Sequence, residues 1–584
     1  MSSAHAEAED AGTDEGSASS TASATAPPRS ADADGGSWAP MRNRVYRALW
    51  FAQLGSNIGT WMQTVGAQWL LVDRAHAATL VALVQTASLL PVMLLSLPAG
   101  VLADVLDRRR LLIASQAAMA ATAGVLAALT AAGLTTPATL LALTFVLGCG
   151  QAVTGPAWQA IQPELVERRQ IPAAATLGSL TVNLARAVGP AAAGLIVAAT
   201  GPAAVFTINA VSFAGVLAVL AVWRRKPTEQ SQQQAEAALA ALNAGTRYVR
   251  NAPAVTRILL RSALFVVPGS ALWALLPVVS ASRLHLGAGG YGALLGALGV
   301  GAVGGALSLS RLRKRLSANQ ALAGSAVLFG LATLTLALPL GAAATPVVSV
   351  FMVAGGFAWI ASLSTLNAAL QLTLPAWVRA RGLAAYLLVF MGGQALGSLA
   401  WGLLAGSIGD PWALGSAAVL LGLAGVSVAR WPLRPDTGLL DRTVSAHWAD
   451  PVLVFEPDPA DGPVVVVRHY RVPPENQAAF LEAIERLGRS RRRTGAMRWD
   501  IYRDGDSVDG FTEVFAVRSW GEHLRQHADR LTGADWEFEQ RTAALAEDAL
   551  NVEHLFPPNV HSLVAPDAAG SAAAASADAA DPAD

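Results

Sequence analysis

The chain has 584 residues, 53% of them hydrophobic and only 14% charged, with a mean hydropathy of +0.42. Soluble globular chains carry charge on about a quarter of their residues, so most of this molecule is not an ordinary soluble domain. A formal net charge of zero argues against nucleic acid as a partner, and the single cysteine, Cys149, excludes an internal disulfide or a cysteine metal cluster.

Residues 1–40 are Ala, Ser, Asp, Glu and Gly with almost nothing large to bury, and are expected to form a disordered acidic tail. They lack the basic-then-apolar pattern of a cleavable signal. Apolar runs then follow one another from Val45 to Trp431. A helix needs roughly 20 apolar residues to cross a bilayer. Twelve runs qualify, at approximately 45–72, 78–103, 111–132, 138–162, 172–199, 203–223, 256–281, 289–310, 318–339, 346–371, 382–406 and 411–430. Every second connection is basic: Arg42/Arg44/Arg47, Arg108/Arg109/Arg110, Arg168/Arg169, Arg224/Arg225/Lys226, Arg311/Arg313/Lys314/Arg315, Arg379/Arg381 and Arg430/Arg434. The alternate connections hold only Arg74 and Arg283. The positive-inside rule puts the basic set, and both termini, in the cytoplasm.

A polar central loop, 224–255, divides the spans into residues 41–223 and 256–431. The halves echo each other: PELVERRQIPAAATL after span four parallels PAWVRARGLAAYLLV after span ten, and DVLDRRR parallels SRLRKR. Six-plus-six repeats fit a transporter built of two bundles around a central cavity. After a linker at 432–462, residues 463–560 alternate strand patterns (VVVVRHY, MRWDIYRD, GFTEVFAVRSW, ALNVEHLF) with helical ones (PENQAAFLEAIERLGRSRRR, SWGEHLRQHADRL). That β-α-β-β-α-β order is ferredoxin-like. A second Ala/Asp tail, 561–584, follows. The expected fold is therefore an all-α polytopic membrane protein of twelve helices in two six-helix bundles, with a small cytoplasmic α+β domain.

GVLADVLDRRR, residues 100–110, turns from span two into span three. It resembles the G-x-x-x-D-R-x-G-R-R loop of the major facilitator superfamily: Gly100, Asp104, Arg108 and Arg109 match, while Val105 and Asp107 replace the usual Arg and Gly. The resemblance implies a gating loop in which a boundary carboxylate pairs with an arginine or a helix N-terminus. GPAWQAIQPELVERRQIPAAATLGSLTVNLARAVGPAAAG (155–194) and TWMQTVGAQWLL in span one resemble the transmembrane secretion effectors, the branch that includes the enterobactin exporter. This implies secondary efflux, with protons as the coupling ion. RAVGPAAAG resembles an exporter antiporter motif, with Gly189, Pro190 and Gly194 matching and alanines at 191–193; close helix packing alone also accounts for it. The C-terminal domain resembles the dimeric α+β barrels of antibiotic-biosynthesis monooxygenases, which implies a dimer contact there.

Arg186 lies about 14 residues, or about 21 Å, into span five, and an intramembrane charge costs several kcal/mol unless it serves a site. Asn183, one turn away, shares its face. Together they suit an anionic or polyphenolic substrate; the alternative is a snorkelling or structurally paired arginine. Asn57 and Gln63 in span one, with Gln53 and Gln68, Gln151, Trp158 and Gln159 in span four, and Asn367 in span ten complete a candidate polar cavity, although interhelical hydrogen bonds account for some of them. No Asp or Glu sits clearly within a span core; Asp73, Asp104 and Glu164 are near span ends.

In the C-terminal domain His523 and His527 are four apart on a helix, but no third ligand is evident, and a solvated face rather than a metal site is expected. Arg489, Arg491, Arg492 and Arg493 read as a basic run for lipid headgroups or a solvated helix end. His469, Trp499 and Tyr502 are candidates to line a cleft. No catalytic residue, cofactor or metal is assigned. The expected function is export of a small amphipathic molecule (a siderophore, antibiotic or drug) across the cytoplasmic membrane by alternating access. An exporter fused to an active monooxygenase-like domain, or an importer of the same superfamily, stays open.

Overall fold

The computed structural model describes residues 38–223, 245–434, 440–448, 453, 455–547 and 552–558. The expected tails, most of the central loop and parts of the linker lie outside these residues. Helices follow the apolar runs: α1 (Arg44–Trp69), α2 (Ala77–Val105), α3 (Arg108–Ala131), α4 (Pro137–Leu165), α5 (Ile171–Thr200) and α6 (Pro202–Val222). A second series comprises α7 (Pro253–Ser282), α8 (Ala288–Arg315), α9 (Ala318–Ala337), α10 (Thr345–Thr373), α11 (Arg379–Ile408) and α12 (Asp410–Arg430). Residues 245–251 form a further helix ahead of α7 where the sequence reads as loop.

Among the described residues eleven helices are long and apolar enough to cross a membrane. The sequence led us to expect twelve; α1, 26 residues long, is the one that falls short. Its Gln53, Asn57, Gln63 and Gln68 lower its hydropathy.

Side chains and turn residues set the helix ends. Asn43 caps α1 by accepting from the Val45 amide at 2.9 Å, and its own amide donates to the Leu165 carbonyl at 2.8 Å, tying α1 to the end of α4. Asp107, where the family motif has glycine, caps α3 by accepting from the Arg110 amide at 2.8 Å. The two halves repeat one device: Gly201 (φ 85°) joins α5 to α6 and Gly409 (φ 89°) joins α11 to α12, a left-handed turn that glycine adopts without Cβ strain. Each of the paired stretches before α5 and α11 also carries a single 3-10 turn, Arg168–Gln170 and Ala376–Val378.

Within the first series α1 packs on α5 and α6, α2 on α4, and α3 on α4 and α6. Within the second α8 packs on α10, α9 on α10 and α12, and α7 on α11 and α12. Two seams join the series, α2 against α11 and α5 against α8.

The C-terminal part is a four-stranded antiparallel sheet in the order β2-β3-β1-β4, from β1 (Val464–Arg471), β2 (Arg498–Arg503), β3 (Gly510–Val517) and β4 (Val552–Leu555). α13 (Gln477–Thr494), α14 (Trp520–Arg525), a π-helical turn (Gln526–Arg530) and α15 (Gly533–Ala543) accompany it. Val464, Val466, Phe480, Ile484, Phe511 and Phe515 form its apolar core. It rests on the arginine-rich end of the membrane helices. There Glu522 pairs with Arg247, and the Arg530 guanidinium stands 5.1 Å over the ring of Trp377 in the 3-10 turn before α11.

Candidate substrate site

The α5–α8 seam explains the Gly-Pro stretch physically. A Cβ on Gly189 would lie 2.7 Å from Cβ of Trp61 on α1, and one on Gly194 would lie 2.7 Å from the Gly292 Cα on α8. Both positions need glycine because another helix occupies the space. The contact continues from Gly194 opposite Gly292 to Ala187 opposite Gly299. At helical spacing the same face of α5 runs on through Asn183, Leu180 and Thr176. Those three residues are exposed. The seam is thus closed toward the end with few charges and parted toward the arginine-rich end.

Arg186 sits where this parting begins. Counted from Ile171 it is the sixteenth of the 30 residues of α5, so the helix start does not allow it to reach a membrane surface easily. Its guanidinium carbon stands 5.9 Å over the Trp61 ring, its Nε is buried without a hydrogen-bond partner, and it has no ion pair among the described residues. Trp61 lies 6.3 Å from Trp273 of α7, whose indole Nε1 is also buried and unpartnered, and Trp273 lies 5.6 Å from Trp359 of α10. A bare cation, a free indole donor and an aromatic wall from both halves therefore meet at one level of the bundle. Asn57, one turn from Trp61 on α1, is half-buried and receives the Gln53 amide at 3.4 Å. Asn183 is exposed and donates back to the Ser179 carbonyl at 2.9 Å. Beyond this level, toward the charge-poor end, the Tyr291 hydroxyl donates to Gln68 Oε1 at 2.7 Å and Trp69 stacks on Tyr291, joining α1 to α8.

The other expected cavity residues are placed differently. Gln63 is buried and accepts the Asn209 amide, a tie between α1 and α6. Gln151 donates to Thr60 on α1 at 3.4 Å. Trp158 packs against the cluster of Tyr46, Leu49 and Ile161, while Gln159 is exposed. Asn367 accepts the amide of Gln371 on its own helix.

At the expected gating loop the side chain of Asp104 lies outside the described residues, and Gly100 has open space where a Cβ would stand. Arg108 donates to Glu164 at 2.8 Å and to the Ala160 carbonyl at 3.2 Å, and Arg109 donates to the Leu220 and Ala221 carbonyls at 2.9 Å. Both tie α3 to its own series, Arg108 to α4 and Arg109 to the end of α6, whose last carbonyls need donors.

The soluble part corrects three expectations. The basic run is not a lipid-facing patch: Arg491 is 0% exposed between Glu513 and Glu539, Arg493 pairs with Asp535, and Arg492 stands over the Trp499 ring. Burial alone would raise the Glu539 pKa, but Arg491 and Arg468 hold it well below the usual carboxylate range. His469, Trp499 and Tyr502 do not share a cleft. The sheet register pairs His469 and Tyr502 with Thr512 on one face and Trp499 with Phe515 on the buried other. The face of His523 and His527 is not solvated either, since they are 1% and 9% exposed and His554 of β4 joins them. Sequence spacing could not reveal His554, which reaches the pair only through the pairing of β4 with β1.

A family model described as "Transmembrane secretion effector" matches residues 35–563. The chain is 30% identical over 157 residues to the staphyloferrin A transporter of Staphylococcus aureus, covering 27% of this chain and 40% of that one. It is 30% identical over 212 residues to the multidrug efflux pump Tap of Mycobacterium tuberculosis, covering 34% and 50%. The chain thus spans half or less of the length of these relatives. Among solved structures, a bacterial homologue of the iron transporter ferroportin in an inward-facing state superposes with a TM-score of 0.54 at 16% identity, over 67% of this chain and 99% of that one. The nucleoside transporter NupG gives 0.54 at 14% identity, over 66% and 99%. At these identities the likeness shows the fold.

Proposed function

The chain belongs to the transmembrane secretion effector family of major facilitator transporters, and from that premise we propose that it exports a small, amphipathic anion by alternating access. Arg186 carries this reading. A guanidinium at mid-helix with no ion pair among the described residues and a buried, unpartnered Nε is costly unless a ligand completes it. A carboxylate or phenolate does so by charge, while Trp61, Trp273 and Trp359 take the apolar body.

In this reading the helices span as two six-helix bundles, 41–223 and 256–431, with both termini and the soluble domain in the cytoplasm. The parted end is then cytoplasmic and the site is loaded from within. Release requires the Tyr291–Gln68 bond and the Gly194–Gly292 contact to break while the arginine-rich ends close. Arg108 and Arg109 keep the first bundle rigid as it rocks. Gly189, Pro190 and Gly194 form the packed seam that prevents leakage, and Asn57 and Asn183 add polar contacts beside the cation. Protons moving inward drive the cycle. Carboxylates at or near span ends include Asp73, Asp104, Glu164, which is held by Arg108, and Asp410, the first residue of α12.

The protein is a transporter and not an enzyme. Its soluble domain, whose interior is filled by the Arg491–Glu513–Glu539 cluster, serves to dock on the helices and to pair with a second copy. Uptake by inverted membrane vesicles of a panel of siderophores and drugs, with and without a proton gradient, tests the assignment. Accumulation that stops when the gradient is collapsed is expected; accumulation indifferent to the gradient contradicts antiport.

A further inference from the structure

The soluble domain holds a constellation that transport does not use. His523 sits on α14, His527 on the π turn after it and His554 on β4. Their Nε2 atoms converge, 3.0 Å between His523 and His554 and 3.2 Å between His527 and His523. One ligand atom of each lies within 4.8 Å of the other two. Around a tetrahedral zinc ion with Zn–N bonds of about 2.0–2.1 Å, ligand nitrogens stand about 3.3–3.4 Å apart. The His523–His554 and His523–His527 separations are within a few tenths of an ångström of that spacing.

Hydrogen bonding alone serves these rings poorly. Gln526 donates through Nε2 to Thr494 Oγ1 at 3.2 Å, which turns its Oε1 toward His523 Nδ1 at 3.1 Å. An amide oxygen only accepts, so the His523 proton is on Nδ1 and Nε2 presents its lone pair. Two further imidazole nitrogens aim at that one lone pair, which can receive one good donor. A divalent cation instead takes a lone pair from each ring. An Nδ1–H held by an oxygen is also how metal-ligating histidines are oriented.

The surroundings agree. π turns are rare and occur mostly at functional sites; this one sets the His527 ring 4.7 Å from that of His523. Trp448 and Trp520 wall the site, at 4.6 Å from His527 and 5.5 Å from His523. The cations Arg468 and Arg491 are neutralised by Glu539 and Glu513. His554 is half-buried and lies on the edge strand of the sheet.

We propose that His523, His527 and His554 form a zinc-type transition-metal site with a fourth position left for water or a small ligand. It lies on the docking element, since Glu522, next to His523, holds both Arg247 and Arg530.

The test uses the full chain in detergent, purified without a histidine tag, stripped with chelator and titrated with zinc or cobalt chloride. We expect one equivalent of zinc per chain and, with cobalt, the intense visible bands of a four-coordinate site. His554→Gln should weaken zinc binding at least about tenfold. His554→Cys should keep one equivalent and add a thiolate-to-cobalt charge-transfer band, which also shows that the domain tolerates change at this position. Wild-type protein that binds no zinc, or affinity unchanged in His554→Gln, overturns the proposal.

Discussion

Arg491 is buried and Arg186 half-buried with its Nε enclosed, and the two find different partners. In the soluble domain Arg491 meets two carboxylates through Nε and Nη2, with Nη1 left unpartnered, and Tyr470, Trp499, His447, Trp448 and Arg468 also hold those carboxylates. In the membrane helices Arg186 stands over the face of Trp61 and has no ion pair among the described residues. A third case separates burial from membrane location: Arg261 of α7, 5% exposed, donates to Ser427 Oγ at 2.7 Å and to the Ser427 carbonyl at 2.8 Å, serving the end of α12. An apolar helix can therefore hold an arginine for structure, and where it does, acceptors surround it. Arg186 has no carboxylate or carbonyl acceptor among the described residues, which is why the proposed function gives it a ligand.

Breaking the comparison at its structural side should have the largest effect on stability. Arg491→Met leaves Glu513 buried without a cation and Glu539 with Arg468 alone, and should destabilise the soluble domain by about 3–5 kcal/mol. Urea unfolding followed by proteolysis of the C-terminal fragment would show this. On the functional side, Arg186→Ala should reduce vesicle uptake at least about tenfold, since truncating a buried charge contact costs about 2–5 kcal/mol. Its thermal midpoint should stay at or above wild type, because an unpaired charge is removed. Gly194→Val pushes a side chain into the Gly292 backbone and should lower uptake by preventing the charge-poor end from closing. Cysteine pairs across that seam would then cross-link more slowly.

The pH response sharpens the same contrast. Glu539 and Asp535 have pKa values that burial alone would raise and that Arg491 and Arg493, respectively, hold below the ordinary carboxylate values. Groups depressed in the folded state contribute stability that is present above the unfolded pKa and lost as pH falls through the folded one. The soluble domain's urea midpoint should therefore be flat near neutrality and fall in acid below about pH 4. The smallest effect is expected from Arg247→Ala, which removes one of the two arginines on Glu522. It should speed trypsin release of the soluble domain a few-fold and leave its unfolding midpoint nearly unchanged.

The helices were legible because a membrane-spanning segment must be apolar over its whole length, and the observed ends fall within a few residues of the apolar runs. α1 departs from that rule through the glutamines and asparagine that also mark it as cavity-lining or interhelical. The cost of an intramembrane charge singles out Arg186 in the sequence, as a candidate. What could not be read was which polar groups meet. Tyr291 finds Gln68 across a seam, Asn209 occupies Gln63, and His554 arrives by strand pairing. The basic run of α13 looked like a surface because its acidic partners, Glu513, Asp535 and Glu539, are 22 to 48 residues away in sequence.

The most direct test compares a labelled carboxylate siderophore with its full ester in energised inverted vesicles carrying wild type or Arg186→Ala. The account predicts that wild type accumulates the anion in preference to the ester and that Arg186→Ala loses this preference. Equal discrimination by the two proteins would contradict it.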